Sequence, residues 1–199
     1  MAIVITGAAG FIGSCLLSFL NEKGLEDLYL VDDFSKLSKQ SNWKGKRYEK
    51  LIDRADFESL KQIDIVDFVF HMGARTDTSE MDVAVFNKLN LNYSKDIWNW
   101  CTEANIPLIY ASSAATYGDG KQGFGDEQAS MQHLKALNPY GQSKLDFDLW
   151  ATEQDAQPPF WCGLKFFNVF GPNEYHKGEM RSLVHKGFGQ IQETGKVRL

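Results

Sequence analysis

Short apolar runs alternate along this chain with longer stretches in which apolar residues recur at helical spacing. Residues 2–6 (AIVIT), 28–31 (LYLV), 66–71 (VDFVFH), 108–113 (LIYASS) and 160–169 are the runs, and residues 47–52 are a weaker candidate. Continuous rather than alternating apolar character predicts strands buried on both faces. Between them, residues 11–23 carry a helical period that stops at Gly24, a residue suited to ending a helix. Residues 81–104 read as one long helix with Val85, Leu89 and Trp98 on its apolar side, and residues 139–153 as another. Alternating strands and helices predict an α/β fold: a doubly wound parallel sheet with helices on both faces. In such a sheet ligands bind at the carboxyl ends of the strands. The unusual clusters all follow strands: residues 7–13, Asp32–Asp33, residues 72–76 and Ser112–Ser113.

The first of these reads Gly7-Ala8-Ala9-Gly10-Phe11-Ile12-Gly13. Gly7 allows a tight turn, Gly10 lets backbone approach a pyrophosphate, and Gly13 lets the helix pack close to its strand. The helix N-terminus adds free N–H groups and the positive end of its dipole. Asp32 follows at the end of the second strand, where a carboxylate can accept hydrogen bonds from an adenosine ribose. Together these predict a Rossmann-like NAD(P) site. Asp32 would repel a 2′-phosphate, whereas Lys36 and Lys39 would attract one, so these residues leave NAD and NADP both open.

Tyr140 and Lys144 stand four apart on the helix that starts at Pro139, and so share one face. A phenol is a weak base at neutral pH, and a neighbouring ammonium favours the phenolate. Ser113, at a strand end, can hydrogen-bond the same substrate oxygen. The three predict proton transfer at a carbinol oxygen while hydride leaves its carbon.

Composition narrows the classes. With 21 Lys+Arg against 26 Asp+Glu the net charge is −5, and no basic run is present, which argues against nucleic acid and anionic membranes as partners. No apolar run reaches the length of a membrane span, and the N-terminus lacks the basic start of a signal peptide. Cys15, Cys101 and Cys162 are odd in number and widely spaced, which predicts reduced thiols rather than a disulfide framework. The four histidines show no metal-ligand spacing, so no metal is expected. Residues 1–170 are expected to be the dinucleotide domain. Residues 171–199 are expected to begin a smaller substrate lobe, with the final QIQETGKVRL reading as a helix end, a turn and the start of a strand. That ending predicts an N-terminal piece of a longer protein.

The segments TGAAGFIGS (6–14), HMGA (71–74), ASSAATYG (111–118), NPYGQSK (138–144) and FFNVFGP (166–172) resemble the extended short-chain dehydrogenase/reductases, the nucleotide-sugar epimerase and dehydratase superfamily. The resemblance covers essentially the whole chain. The doubled alanine in SSAATYG, the segment FFNVFGPNEYHKGEM (166–180) and the N-x-N-Y-S run at 90–94 point within it to enzymes that invert C6 of an ADP-linked heptose. The resemblance implies Ser113, Tyr140, Lys144 and Lys177 as catalytic residues, Lys177 as a second acid/base or a phosphate partner. It implies cofactor contacts from Gly7, Gly10, Phe11, Ile12, Gly13, Asp32, Asp33, Lys39, Arg54, Met72, Gly73, Ala74, Arg75, Thr76, Asn90, Tyr140 and Lys144. It implies substrate contacts from Ser113, Asn168, Val169, Lys177 and Glu179. Arg54 stands where lysine is often found, and Glu179 where some members carry a smaller polar residue. NADP is the implied cofactor, with Lys39 and Arg54 near its 2′-phosphate. An ADP-sugar is the implied substrate, and a homo-oligomer the implied full-length state. The implied setting is a Gram-negative cytoplasm, where the product enters lipopolysaccharide. Rival readings are another sugar epimerase, a dehydratase, a net reductase, or a non-catalytic NADP sensor. Ala114 and Ala115, in place of an acidic pair after Ser113, argue against a dehydratase, and the presence of Tyr140 and Lys144 argues against a sensor.

Overall fold

A computed structural model describes residues 1–198. Six parallel strands, β1 (Ile3–Thr6), β2 (Leu28–Asp32), β3 (Lys50–Asp53), β4 (Phe68–His71), β5 (Leu108–Ser113) and β6 (Trp161–Phe166), form one sheet in the order β3-β2-β1-β4-β5-β6. The order reverses between β1 and β4, and a crevice opens at such a point outside the strands' carboxyl ends. The helices are α1 (Phe11–Glu22), α2 (Gln40–Trp43), α3 (Phe57–Lys61), α4 (Val83–Phe86), α5 (Tyr93–Glu103), α6 (Gln128–Met131), α7 (Pro139–Thr152) and α8 (Leu183–Thr194).

Successive side chains of a strand point to opposite faces, so β1 supplies both cores. Ile3 and Ile5 pack with Leu17 and Leu20 of α1 and with Leu28 and Leu30 of β2. Val4 packs on the other face with Val69, Leu108, Ile97, Trp98 and Phe147, under α5 and α7. Trp98 is 1% exposed and meets Phe147, Trp150 and Trp161 edge-on.

The structure alters several boundaries. The third strand is Lys50–Asp53 rather than 47–52, and the fourth begins at Phe68. The sixth ends at Phe166, and residues 167–169 continue without partners in the sheet. Helix α1 stops at Glu22, and Gly24 takes a φ of +79°, as its role at the helix end requires. The helix expected over 81–104 is not uniform. Asp82 caps α4 by accepting from Ala84 N–H, and residues 87–92 form a π-helical stretch before α5. The wider turn brings Phe86 and Asn90 into the interior, whereas Val85 and Leu89 remain half-buried. The ends of polar loops supply α2, α3 and α6, too short to show a period. Only Cys101 among the cysteines is buried, and all three are free.

Helix α8 starts at Ser182, whose hydroxyl accepts from His185 N–H, and ends at Gly195 in the left-handed conformation. Residues 196–198 are not a strand; Leu199, the remainder of the strand expected there, lies outside the described residues. Among the described residues no helix is long and apolar enough to cross a membrane.

Candidate active site

The glycine turn is built by backbone contacts. Gly7 adopts a φ of +67° and donates to Val31 O at 2.8 Å, and Gly10 N–H closes the turn on Gly7 O at 2.9 Å. A methyl group on Gly7 would lie 2.7 Å from the backbone of Gly73, and one on Gly13 would collide with the Gly7 carbonyl. The first turn after β1 thus packs backbone against backbone on the loop after β4. Gly10 occupies the N-cap of α1 with no side-chain acceptor, and the helix has no acidic residue in its first turn. The leading N–H groups remain available to an anion.

Asp32, 5% exposed, accepts from Ala9 N–H (3.0 Å), Asp33 N–H (2.7 Å) and Lys39 Nζ (3.0 Å). Lys36 and Arg54 each pair with Asp33 at 3.8 Å. Hydrogen bonding from Ser35 holds the Asp33 carboxyl below the usual range, and these two cations act in the same direction. The expected acids and bases at the end of β2 therefore form one cluster of three cations and two carboxylates.

His71 closes β4 and is buried between two hydroxyls: Thr6 Oγ1 at 2.6 Å from Nδ1 and Ser94 Oγ at 2.8 Å from Nε2. Thr6 Oγ1 also accepts from Gly73 N–H. Burial, and secondarily Lys144, lower the imidazole to about 3, so it is neutral at physiological pH. Next in the same loop, Arg75 N–H donates to Asn90 Oδ1 (2.7 Å), while Asn90 Nδ2 donates to Arg75 O and to Ser143 Oγ, both at 3.0 Å. The Asn90 amide thus clamps residues 72–76 against α7, and the π-helical stretch is what points it inward.

Ser113 ends β5, 8% exposed, and its Oγ accepts from Ala115 N–H at 3.1 Å. That bond leaves the hydroxyl proton free to donate. Asn138 caps α7 by accepting from Gly141 N–H, and Pro139 takes the first helical position, where a missing N–H costs nothing. The cap fixes the direction in which Tyr140 and Lys144 leave the helix. Burial raises the Tyr140 phenol, and the Ser113 side chain acts against that rise. Lys144 is 4% exposed and donates to Ala111 O at 2.7 Å; burial lowers it to about 8, with Asp148 opposing. Lys144 is directed to the β5 carbonyl, and burial weighs against the charged form of both the phenol and the ammonium.

The C-terminal residues meet the glycine turn through an asparagine that no motif marked. Asn42 Nδ2 contacts Ala9 O (3.0 Å), Asn173 O (3.3 Å) and His176 Nδ1 (3.2 Å). Asn173 in turn donates to Ser14 Oγ, in α1. Lys177 Nζ lies 5.6 Å from the centre of the Phe11 ring, at the start of α1. Asn168 and Val169 are exposed beyond β6, and Glu179 is exposed and pairs with Lys186 at 3.1 Å. Sequence reasoning also missed the ion pair at 3.0 Å between the buried Asp148 of α7 and the half-buried Lys165 of β6. The i+4 spacing from Lys144 was the one available sign of Asp148.

A glycine-cradled helix N-terminus at the switch point of a parallel sheet, a buried carboxylate at the end of β2, and Ser113, Tyr140 and Lys144 on β5 and α7 have the arrangement of a dinucleotide-binding fold. The chain belongs to the NAD dependent epimerase/dehydratase family, which residues 3–199 match. It is 45% identical over 206 aligned positions to the ADP-L-glycero-D-manno-heptose-6-epimerase of Fusobacterium nucleatum, covering 99% of this chain and 61% of that protein. The chain spans about three fifths of the length of the curated relatives it matches. The solved ADP-L-glycero-D-manno-heptose-6-epimerase of Helicobacter pylori superimposes with a TM-score of 0.79 at 26% identity, over 98% of this chain and 64% of that one. The UDP-glucose 4-epimerase of Thermus thermophilus, solved with NAD, gives 0.70 at 26% identity over 86% and 57% of the two chains.

Proposed function

We propose that this chain carries the catalytic half of an epimerase that inverts C6 of ADP-D-glycero-D-manno-heptose with a bound nicotinamide dinucleotide. The observation that supports the chemistry is Ser113 at the end of β5 with Tyr140 and the buried Lys144 one helical turn apart on α7, Lys144 donating to Ala111 O two residues before Ser113. The identity to heptose epimerases supports the choice of sugar. The cradle fits a dinucleotide: α1 lacks a side-chain cap, and a methyl group added at Gly10 would meet only Gly7 O, at 3.1 Å.

When bound, the nicotinamide supplies the hydride acceptor and donor. The chain's own residues handle the proton. Ser113, its hydroxyl proton free, orients the sugar's C6 oxygen. Tyr140, as the phenolate that the Lys144 charge favours, takes the proton from that oxygen as the carbinol is oxidised and becomes the neutral phenol. Inversion requires the sugar to turn, which moves its C6 oxygen. Lys177, beyond β6 and beside Phe11, serves as the second acid/base on the other side. Asn168, Val169 and Glu179, exposed at the same end, face the sugar nucleotide, and residues 171–199 begin the lobe that holds it. In the cell the product is destined for lipopolysaccharide in a Gram-negative cytoplasm.

NADP is the proposed cofactor. Lys36, Lys39 and Arg54 outnumber Asp32 and Asp33 in their cluster, and Lys39 offsets the one carboxylate that would repel a 2′-phosphate. NAD is the alternative, favoured by Asp32 as a ribose acceptor.

A panel of ADP-, UDP- and dTDP-sugars offered to the protein extended to its relatives' length, with inversion followed by NMR, tests the reading. Inversion of the ADP-heptose without net NADPH consumption is expected. Turnover of a UDP- or dTDP-sugar alone would overturn it.

A further inference from the structure

Helix α7 places Tyr140, Lys144 and Asp148 at successive i+4 positions on one face. The mechanism above uses the first two and leaves Asp148 without a role. Asp148 is 3% exposed, and its Oδ2 accepts from Ser112 Oγ at 2.6 Å and from Lys165 Nζ at 3.0 Å. Its Oδ1 is buried with no hydrogen-bond partner. Lys165, on β6, donates also to Thr116 Oγ1 at 2.8 Å and sits 5.0 Å from the centre of the Tyr117 ring. Lys144 donates to Ala111 O, the residue next to Ser112 on β5. One buried carboxylate therefore pairs directly with the half-buried Lys165 and lies one helical turn from the buried Lys144.

An ion pair buried this way is a poor source of stability, because desolvation consumes most of the attraction. Tying β6 to α7 would be achieved as well by apolar packing. A carboxylate with one oxygen unsatisfied is better placed to act as a fixed negative potential in a low-dielectric interior.

We propose that Asp148 and Lys165 are positioning residues that together set the charge on Lys144, and through it the readiness of Tyr140 to exchange a proton. This rests on the reading of Tyr140 and Lys144 given above. The groups around Lys144 leave Asp148 as its source of negative charge. Tyr140 shares its helix. The Ala111 carbonyl meets it from β5, and Tyr110 of the same strand lies against Asp148, burial and then Asp148 pushing the Tyr110 phenol up. His71 faces it from β4 and is neutral. Lys165 reaches it from β6 through Asp148. Burial disfavours the Lys144 ammonium, and Asp148 opposes that loss in part. Lys165 competes for the same carboxylate.

The two partners must therefore act in opposite directions. Asp148→Asn removes the attraction, and Lys144 should lose its proton at lower pH, by about one unit. Lys165→Met removes the competitor and should move the Lys144 titration upward. The experiment is an NMR titration of the 199-residue chain labelled at lysine Cε, without cofactor or sugar, the Lys144 signal being identified by its loss in Lys144→Met. If Asp148→Asn fails to fold, Lys165→Met and the double variant Asp148→Asn/Lys165→Met decide, since the double variant should fall below Lys165→Met. Shifts of opposite sign support the proposal. An unmoved Lys144 signal, or shifts of the same sign, overturns it. Because this titration needs no turnover, a failed substrate panel would sink the proposed reaction and leave the coupling standing.

Discussion

Acidification should loosen this fold through one histidine. His71 is 2% exposed, lies between Thr6 and Ser94, and falls from an ordinary 6.5 to about 3, burial being the first cause and Lys144 the second. The depressed value means that the unfolded chain takes up a proton at a pH where the native chain does not. The contribution is fully present above about 6.5 and is lost progressively as pH falls from there toward 3. At pH 5 the unfolded state gains RT ln(1 + 10^1.5), about 2 kcal/mol, against almost nothing at pH 7. That is a large share of the ~5–15 kcal/mol by which domains are stable. Urea unfolding of wild type and His71→Asn at intervals from pH 7.5 to 5 measures it. His71→Asn should be less stable at neutral pH, having lost two buried hydrogen bonds. Its stability should nevertheless fall less steeply, by about 1.4 kcal/mol per pH unit below 6. His176, also lowered by burial, titrates in both proteins and cancels in the difference. Equal slopes would mean that His71 binds its proton in the native state and that the Thr6–His71–Ser94 chain is not the neutral strut described above.

Three further outcomes are expected. Tyr140→Phe should abolish inversion and keep dinucleotide affinity within a few-fold, because the ring packing against Phe86 survives; near-normal turnover in a coupled assay would remove Tyr140 from the mechanism. Lys39→Ala should weaken NADP by about 1.5–3 kcal/mol, the cost of a charge-assisted hydrogen bond, and weaken NAD little. Fluorescence titration checks this, and tighter binding of NAD than NADP by wild type would hand the decision to Asp32. Trp98→Ala should cost ~3–5 kcal/mol in thermal or urea unfolding, since the indole is fully buried among three aromatic rings, and a loss below ~1 kcal/mol would show that the core repacks around the gap.

Five of the six strands, the glycine turn and the α/β class were legible in the chain, because each rests on local rules. A strand buried on both faces must be apolar throughout, as in AIVIT and LYLV. A tight βα turn that lets a helix lie against its strand needs Gly7 and Gly13, whose missing Cβ atoms the close contacts demand. Tyr140 and Lys144 could be paired because i+4 spacing alone puts them on one face. Charge direction and hydrogen-bond partners could not be read, because they depend on what other elements bring. The spacing put an ammonium beside a phenol; the Ala111 carbonyl that β5 offers Lys144, and the burial that weighs on both groups, came only with the fold. Asn42 and Asn173 carried no sign of a role until the fold set Asn42 on the glycine turn and Asn173 on α1, while Asn90, expected among the cofactor contacts, is held under Arg75. The helix expected over 81–104 broke at residues 87–92, since inserting Asn90 beneath the loop outweighed the regular period. Periodicity and glycine steric limits act within a few residues and are written in the sequence; the buried polar pairs join residues 15 to 159 apart, and only the folded chain brings those partners together.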